Sequence, residues 1–368
     1  MAAITTGQVN QEKVTPFKGL LRRLGNQETI LVAAITILVI FVSLYEVFGL
    51  GRAEARFIRE RNIILVLQGN AYIAVAAIGM SLVIISGNID ISVGAVIGVL
   101  AVIGGNLAVW LNANGLPVWI AWIVPIFLGG MIGAVNGFLV AFLRIPAIVV
   151  TLGMMSILKG GLITVTGGQW ISDLPPEYFL SQQRPLAGLA EALNNPGGII
   201  GYFVNILSQL PMPVYFMIIL TIIAAWWMRY SPLGRAIYAV GGNAEAARLS
   251  GLSPRGVLMR VFILNGIFVG IASVLFATQL SIIQSTVPAG IEMLIISSAV
   301  VGGVSILGGT GTVVGAMFAA ILLNAITSAL IFINVSPYWS KAPQGLLILL
   351  TVLADISRRR RQSRQISG

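Results

Sequence analysis

The 368-residue chain contains neither cysteine nor histidine. That double absence excludes disulfides, Cys or His metal sites, cysteine nucleophiles and histidine general bases at once. Charge is scarce too: 9% of residues are Asp, Glu, Lys or Arg, against 57% apolar residues and a mean hydropathy of +0.95. Such a composition cannot coat a water-soluble globule. No Gly-Lys dipeptide occurs, so a Walker A loop is excluded, and no G-x-S-x-G nucleophile elbow is present. An enzyme hypothesis loses its usual residues, no cofactor or metal is implied, and any energy from a nucleotide has to come through another chain.

What the chain has is apolar length. A hydrocarbon core of about 30 Å takes roughly 20 apolar residues per helix. Ten runs meet or approach that need: Ile30–Phe48, Asn62–Ile85, Ser92–Trp110, Val118–Phe142, Ala147–Thr166, Val214–Met228, Val261–Leu280, Ile291–Leu307, Val313–Ile333 and Gln344–Leu353. The expected fold is all-α and polytopic, with about ten transmembrane helices. Residues 1–29 are polar and the first run can span, so the expectation is a retained helix and not a cleaved signal peptide. The domains expected are a tail at 1–29, a transmembrane region at 30–355 and a basic tail at 356–368. An even number of spans puts both termini on one side. Assigning that side to the cytoplasm gathers 15 of the 22 basic residues there, among them Arg144, Arg229, Arg235, Arg248, Arg255 and Arg260. The formal charge of +10 therefore reports topology beside membrane lipid and not nucleic-acid binding.

Two segments sit awkwardly in this scheme. Arg52, Arg56, Arg59 and Arg61, beside Glu54 and Glu60, fall on the outer side, where an interfacial helix with snorkelling arginines and a misassigned span are both open readings. Gly198–Leu210 is apolar yet too short to span, and reads as re-entrant or interfacial. Glycines spread through the spans, with Gly129, Gly133 and Gly137, and the pairs Gly266/Gly270 and Gly311/Gly315, spaced for close helix crossing. Val93-Gly-Ala-Val96 and Val314-Gly-Ala-Met317 each follow a glycine-containing break, which suggests an internal repeat.

Ion-driven carriers keep acidic residues at membrane depth. Here Glu46, Asp90 and Glu292 fall near span ends, and only Lys159 sits well inside one. An ion-gradient-driven carrier for a small polar solute is the alternative reading. Uncharged amides are better represented inside spans: Gln68, Asn70, Asn136, Asn265 and Asn324 can bond a sugar's hydroxyls without an ionic cost, or can bond between helices. The loop 229–260 carries a compact signal. Asn243 suits a helix N-cap, Glu245 the first turn, Glu245 and Arg248 an i,i+3 pair, and Gly251 a left-handed C-cap. So short a helix is unstable alone and must dock, either on its own bundle or, through Ala244, Ala246 and Ala247, in a groove on a partner.

The segment Gly241-Gly-Asn-Ala-Glu-Ala-Ala-Arg-Leu-Ser-Gly251 resembles the cytoplasmic coupling segment of permease subunits in bacterial ABC importers of the ribose, xylose and autoinducer-2 type. Gly87-Asn-Ile-Asp-Ile-Ser-Val-Gly94 is similar to that family's Gly-Gly-Ile-Asp-Leu-Ser-Val-Gly signature, with Asn88 in place of the second glycine. Arg144-Ile-Pro-Ala-Ile-Val-Val-Thr-Leu-Gly153, Thr166-Gly-Gly168 and Gly302-Gly-Val-Ser-Ile-Leu-Gly-Gly-Thr-Gly311 also resemble the family's pattern, in the right order. The resemblance implies two permeases around a central passage, identical or not, an ABC ATPase pair or fused twin below, and a periplasmic solute-binding protein above. It implies that Gly241, Gly242, Asn243, Glu245, Ala246, Ala247, Arg248 and Gly251 meet the ATPase. Asp90, Ser92 and Gly94 match the signature, and their expected place at a cytoplasmic span boundary argues against solute contact. Gly167-Gly-Gln-Trp-Ile-Ser-Asp-Leu-Pro-Pro-Glu177 is closer to the rhamnose or autoinducer-2 branch. Within the outer segment 167–212, Trp170, Asp173 and Glu177 are candidates for docking the binding protein, against plain loop variation.

Overall fold

The computed structural model describes residues 26–353 except 194–197, 287–289, 348 and 352. Most of the expected N-terminal tail and all of the basic C-terminal tail lie outside the described residues. The chain folds as α1 (Asn26–Leu44), α2 (Glu60–Ile85), α3 (Val93–Ala113), α4 (Ile120–Ala141), α5 (Ala147–Thr166), α6 (Gly198–Gln209), α7 (Met212–Tyr230), α8 (Pro232–Gly242), α9 (Ala244–Leu249), α10 (Pro254–Ala277), α11 (Ile291–Val301) and α12 (Val313–Phe332). Apolar runs this long become helices because a helix satisfies every backbone N–H and C=O within its own segment, where no water is available. Among the described residues there is no strand, only one isolated bridge between Ile171 and Ile283.

Eight of these helices are long and apolar enough to cross a membrane, α1, α2, α3, α4, α5, α7, α10 and α12. The run Ile291–Leu307 does not form a full-length helix. Its 11-residue α11 stops at Gly302, and Gly303, Gly308, Gly309 and Gly311 then take left-handed φ angles that end any helix. The chain reaches α11 by returning into the bundle. Ile283 packs on Gly105 and Glu292 on Gly94, eleven residues apart on α3, a descent of about 16 Å. α11 thus begins as a half-helix inside the bundle, beside the start of α3. Residues 341–347 begin a further helix, and Leu347 packs with Leu31 and Leu322.

The core is centred on α2, buried without interruption from Ile73 to Ile85. The closest crossing joins α4 to α10. Added Cβ atoms on Gly129 and Gly133 would overlap the Gly266 and Phe262 carbonyls, and one on Gly266 would overlap the carbonyl of Gly129. These glycines let two backbones touch, the packing that apolar surroundings favour. Gly315 plays the same part against Gly302, whereas Gly311 serves the loop. The two Val-Gly-Ala segments occupy like places: α3 starts at Val93 after Ser92, and α12 at Val313 after Thr312, whose hydroxyl accepts from Gly315 N–H.

The Arg-rich segment is tied to the bundle by a buried acid. Glu46 accepts from Arg52 and, at 2.7 Å, from the Phe57 N–H, while Arg52 also donates to the Phe332 carbonyl at 3.2 Å. Arg56, Arg59 and Arg61 line the mouth of a cavity of about 570 Å³ between α2 and α12. At the same end α6 lies along the surface with Ile200, Phe203 and Leu207 exposed, and Tyr202 donates to the Ile58 carbonyl. An apolar outer stripe on so short a helix is the pattern of an interfacial element.

Candidate functional site

At the other end of the bundle, α8 and α9 form a projecting arm. The capping read from sequence is present. Asn243 Oδ1 accepts from Glu245 N–H at 3.1 Å and Ala246 N–H at 2.9 Å, and Gly251 closes the turn with φ +84°. Glu245 Oε2 accepts from Arg248 Nε at 3.1 Å, a hydrogen bond that holds the guanidinium above its ordinary pKa. The expected exposure of all three alanines needs correction. Ala247 is buried against the bundle, while Ala244, Glu245, Ala246, Arg248 and Leu249 face outward. Leu249, 78% exposed, is the largest apolar group at the tip, and sequence inspection passed over it. Gly241 does not face outward either: a Cβ there would overlap the Ile85 carbonyl and stand 2.9 Å from Gly309 N. It presses α8 onto the end of α2 and onto the 302–311 loop, where Tyr238 donates to the Gly311 carbonyl at 2.8 Å. Gly242, by contrast, has open space around it.

The signature segment lies deeper than a span boundary. After Gly87, in a left-handed turn, the chain folds back between helices, and Asp90 is 3% exposed. Its Oδ1 accepts from Ser92 N–H at 2.9 Å and Ser92 Oγ at 2.6 Å, and its Oδ2 from Asn265 Nδ2 at 2.8 Å. Asn136 Nδ2 donates to Ser92 Oγ at 3.2 Å, and Thr151 Oγ1 accepts from Ile91 N–H at 3.1 Å. Residues 90–92 thus join the α2–α3 connection to α10 through the Asp90 carboxylate, to α4 through the Ser92 hydroxyl and to α5 through the Ile91 N–H. Asn265 packs on Gly79, six residues before the end of α2, so the cluster sits about 9 Å inside the bundle. The expectation of a boundary position is corrected: Ser92 satisfies one carboxylate oxygen within the loop, and the other finds its donor, Asn265 Nδ2, inside α10. Gly94 is in place for close packing, against Glu292 at the start of α11.

The five candidate amides divide. Asn136 and Asn265 belong to the Asp90 cluster, each with its Oδ1 buried and unpartnered. Asn70 is buried and donates to the Val66 carbonyl in its own helix at 2.8 Å. Asn324 donates to the same carbonyl from α12 at 3.3 Å and lines the Arg-rimmed cavity. Gln68 is half-buried. They therefore do not line one common surface. The docking candidates Trp170, Asp173 and Glu177 are all exposed, and Trp170 and Asp173 share a cavity of about 400 Å³ with Asn106 on α3. Beneath them Tyr178 is fully buried, and burial pushes its hydroxyl well above the usual tyrosine range.

Residues 62–352 match the family described as branched-chain amino acid transport system / permease component. The chain belongs to this permease family. It is a multi-pass membrane protein of the bacterial inner membrane. The permease is 33% identical over 340 residues to the autoinducer 2 import system permease protein LsrC of Salmonella typhi, which covers 90% of this chain and 86% of that one. It is 32% identical over 242 residues to LsrC of Enterobacter sp. (strain 638), covering 66% of this chain and 64% of that one, and 32% identical over 246 residues to LsrC of Escherichia coli (strain K12 / DH10B), covering 67% and 65%. The match thus spans just under two thirds of the length of the Enterobacter and Escherichia relatives. No solved structure matches the permease.

Proposed function

We propose that this chain is the non-catalytic membrane subunit of an ATP-driven ABC importer. It forms the passage for a sugar or sugar-like solute, a pentose, a methylpentose or autoinducer-2, handed over by a periplasmic binding protein. The relatives named as autoinducer 2 import permeases support the last of these. The observation that carries the reading is the arm. A six-residue helix does not persist in water by itself, yet α9 is capped at both ends, anchored through Ala247 and Gly241, and left with Glu245, Arg248 and Leu249 projecting. That is a preformed knob for a groove on a separate ATPase. In this reading the arm's end is cytoplasmic, the ATPase pair or fused twin binds there, and Trp170, Asp173 and Glu177 meet the binding protein at the other end. A second permease copy or homologue completes the passage, on the side where α5 buries only four of its twenty residues. ATP closure of the partner would move the arm, and Gly241 would carry that movement to α2.

An ion-driven carrier would need a buried carboxylate free to take up its ion; Asp90 is committed to Ser92 and Asn265, and Glu292 already stands beside the Lys159 ammonium. The test is purification of the complex with its ATPase and binding protein, followed by uptake in liposomes with and without ATP. Glu245→Lys breaks the pair with Arg248 on the knob alone, and is expected to lower ATP-dependent uptake about tenfold with an unchanged melting temperature. Undiminished uptake would remove the coupling role. Gradient-driven uptake by the isolated chain would replace the importer with the carrier.

A further inference from the structure

Lys159 and Glu292 form a pair that neither the arm nor the Asp90 cluster uses. Lys159 Nζ stands 3.9 Å from Glu292 Oε1, the lysine 36% exposed and the glutamate 12%. Lys159 lies twelve residues into α5, about 18 Å from the helix start. Glu292 is the second residue of α11, where the chain that has come back into the bundle turns helical. Half-helices beginning inside a bundle are a recurrent way of building solute sites at mid-membrane depth.

Three features separate this pair from a structural tie. Charges at such depth are costly and are ordinarily bonded to the full. Here 3.9 Å is too long for a hydrogen bond, Glu292 Oε2 is buried without a hydrogen-bond partner, and Lys159 has only this one ionic partner among the described residues. Space is also kept for the carboxylate: any side chain at Gly94 would overlap Glu292 Oε2. Finally, a cavity of about 260 Å³, lined by Gly98, Ala101, Gln284 and Thr286, opens one turn further along α3. The lysine's surroundings are mixed in character, with Ser156, Gly160, Gly161 and Thr164 exposed on the same helix beside the exposed Ile157 and Ile163. A face with a cation and hydroxyls at that depth suits a wet passage better than lipid.

We propose that Lys159 and Glu292 are a solute subsite midway along the passage, where a neutral polyhydroxylated solute bridges ammonium and carboxylate with neighbouring hydroxyls. The inference rests on the importer reading above. A hydroxyl both donates and accepts, so a diol meets the carboxylate's need for donors and the ammonium's need for an acceptor together. The balanced pair repels neither end of a neutral solute, whereas an anion meets Glu292 and a cation meets Lys159. A few such bonds hold the solute in place yet let it leave.

The test uses the complex of permease, ATPase and binding protein in liposomes, with whichever of ribose, xylose, rhamnose and autoinducer-2 the wild type imports, and a deoxy analogue of it. Glu292→Gln and Lys159→Gln keep size and remove one charge each. Each is expected to lower uptake about tenfold and to shift the preference for the solute over its deoxy analogue, since a site built to bond a hydroxyl rejects the analogue lacking it. The exchange Lys159→Glu with Glu292→Lys restores a pair; it is expected to return the melting temperature to wild type and leave the preference shifted. Wild-type uptake and preference in the single variants would overturn the subsite. So would their full recovery in the exchange, which would make the pair a tie only. A wild-type complex that imports none of these solutes with ATP defeats the importer reading itself, and the subsite with it.

Discussion

Gly241→Ala is the sharpest probe of how the arm is joined to the bundle. A methyl at this position would overlap the Ile85 carbonyl oxygen and stand 2.8 Å from the carbonyl carbon and 2.9 Å from Gly309 N. Non-bonded carbons sit about 3.5–4.0 Å apart, and the overlap with the carbonyl oxygen is deeper than that with the carbon, so α8 has to withdraw by well over ~1 Å. These atoms are all backbone, and no rotamer change relieves the overlap. Gly309 N–H also donates to the Ile85 carbonyl at 2.8 Å, so any withdrawal strains the junction of α2, α8 and the 302–311 loop. Overpacking of this kind costs about 1–3 kcal/mol, against up to about 1 kcal/mol gained from replacing glycine in a helix. Because α9 follows within two residues, the shift reaches the exposed tip. The reconstituted complex should hydrolyse ATP yet move about tenfold less solute per ATP, the factor that 1.4 kcal/mol represents. Gly256→Ala at the start of α10 is the control, its added carbon meeting only Ser253 at 3.4 Å or more, and should behave as wild type. Uptake, phosphate release and melting temperature are measured on the same samples. Equal coupling in the two variants would refute the argument that backbone contact at Gly241 transmits the arm's position.

Asp90→Ala removes the acceptor for Ser92 N–H, Ser92 Oγ and Asn265 Nδ2 in a buried site. It should cost about 3 kcal/mol or more, seen as a lower melting temperature in detergent, and Asp90→Asn should cost less because it keeps an acceptor and the volume. Gly266→Ala should force α10 from α4 and lower the melting temperature by several degrees, whereas Gly153→Ala on the uncovered α5 meets no atom within 4 Å and should not. Equal melting temperatures for these two would refute the close-crossing argument.

Membrane residence and the arm's cap were legible in the sequence because each depends on nearby residues, whereas the ten spans expected compare with eight long apolar helices among the described residues. Hydropathy is summed over about twenty positions, and Asn243, Glu245, Arg248 and Gly251 lie within one short segment. The glycine spacing likewise announced close helix crossing, since i,i+4 residues share a helix face, and the structure paired α4 with α10. What stayed hidden was whatever required a distant partner. Asp90 is held by Asn265, 175 residues on, which is why its depth was misjudged, and Thr312 bonds Glu28 across 284 residues. The same holds for the Glu46 anchor of the Arg-rich loop, the inward turn of Ala247 and the half-helix that brings Glu292 to Lys159. By itself the sequence determined that this chain lives in a bilayer as helices, since apolar length and backbone hydrogen bonding leave no other choice. Only the tertiary structure decided which of its few polar groups would meet, because at membrane depth each must find its partner on another helix or remain unsatisfied.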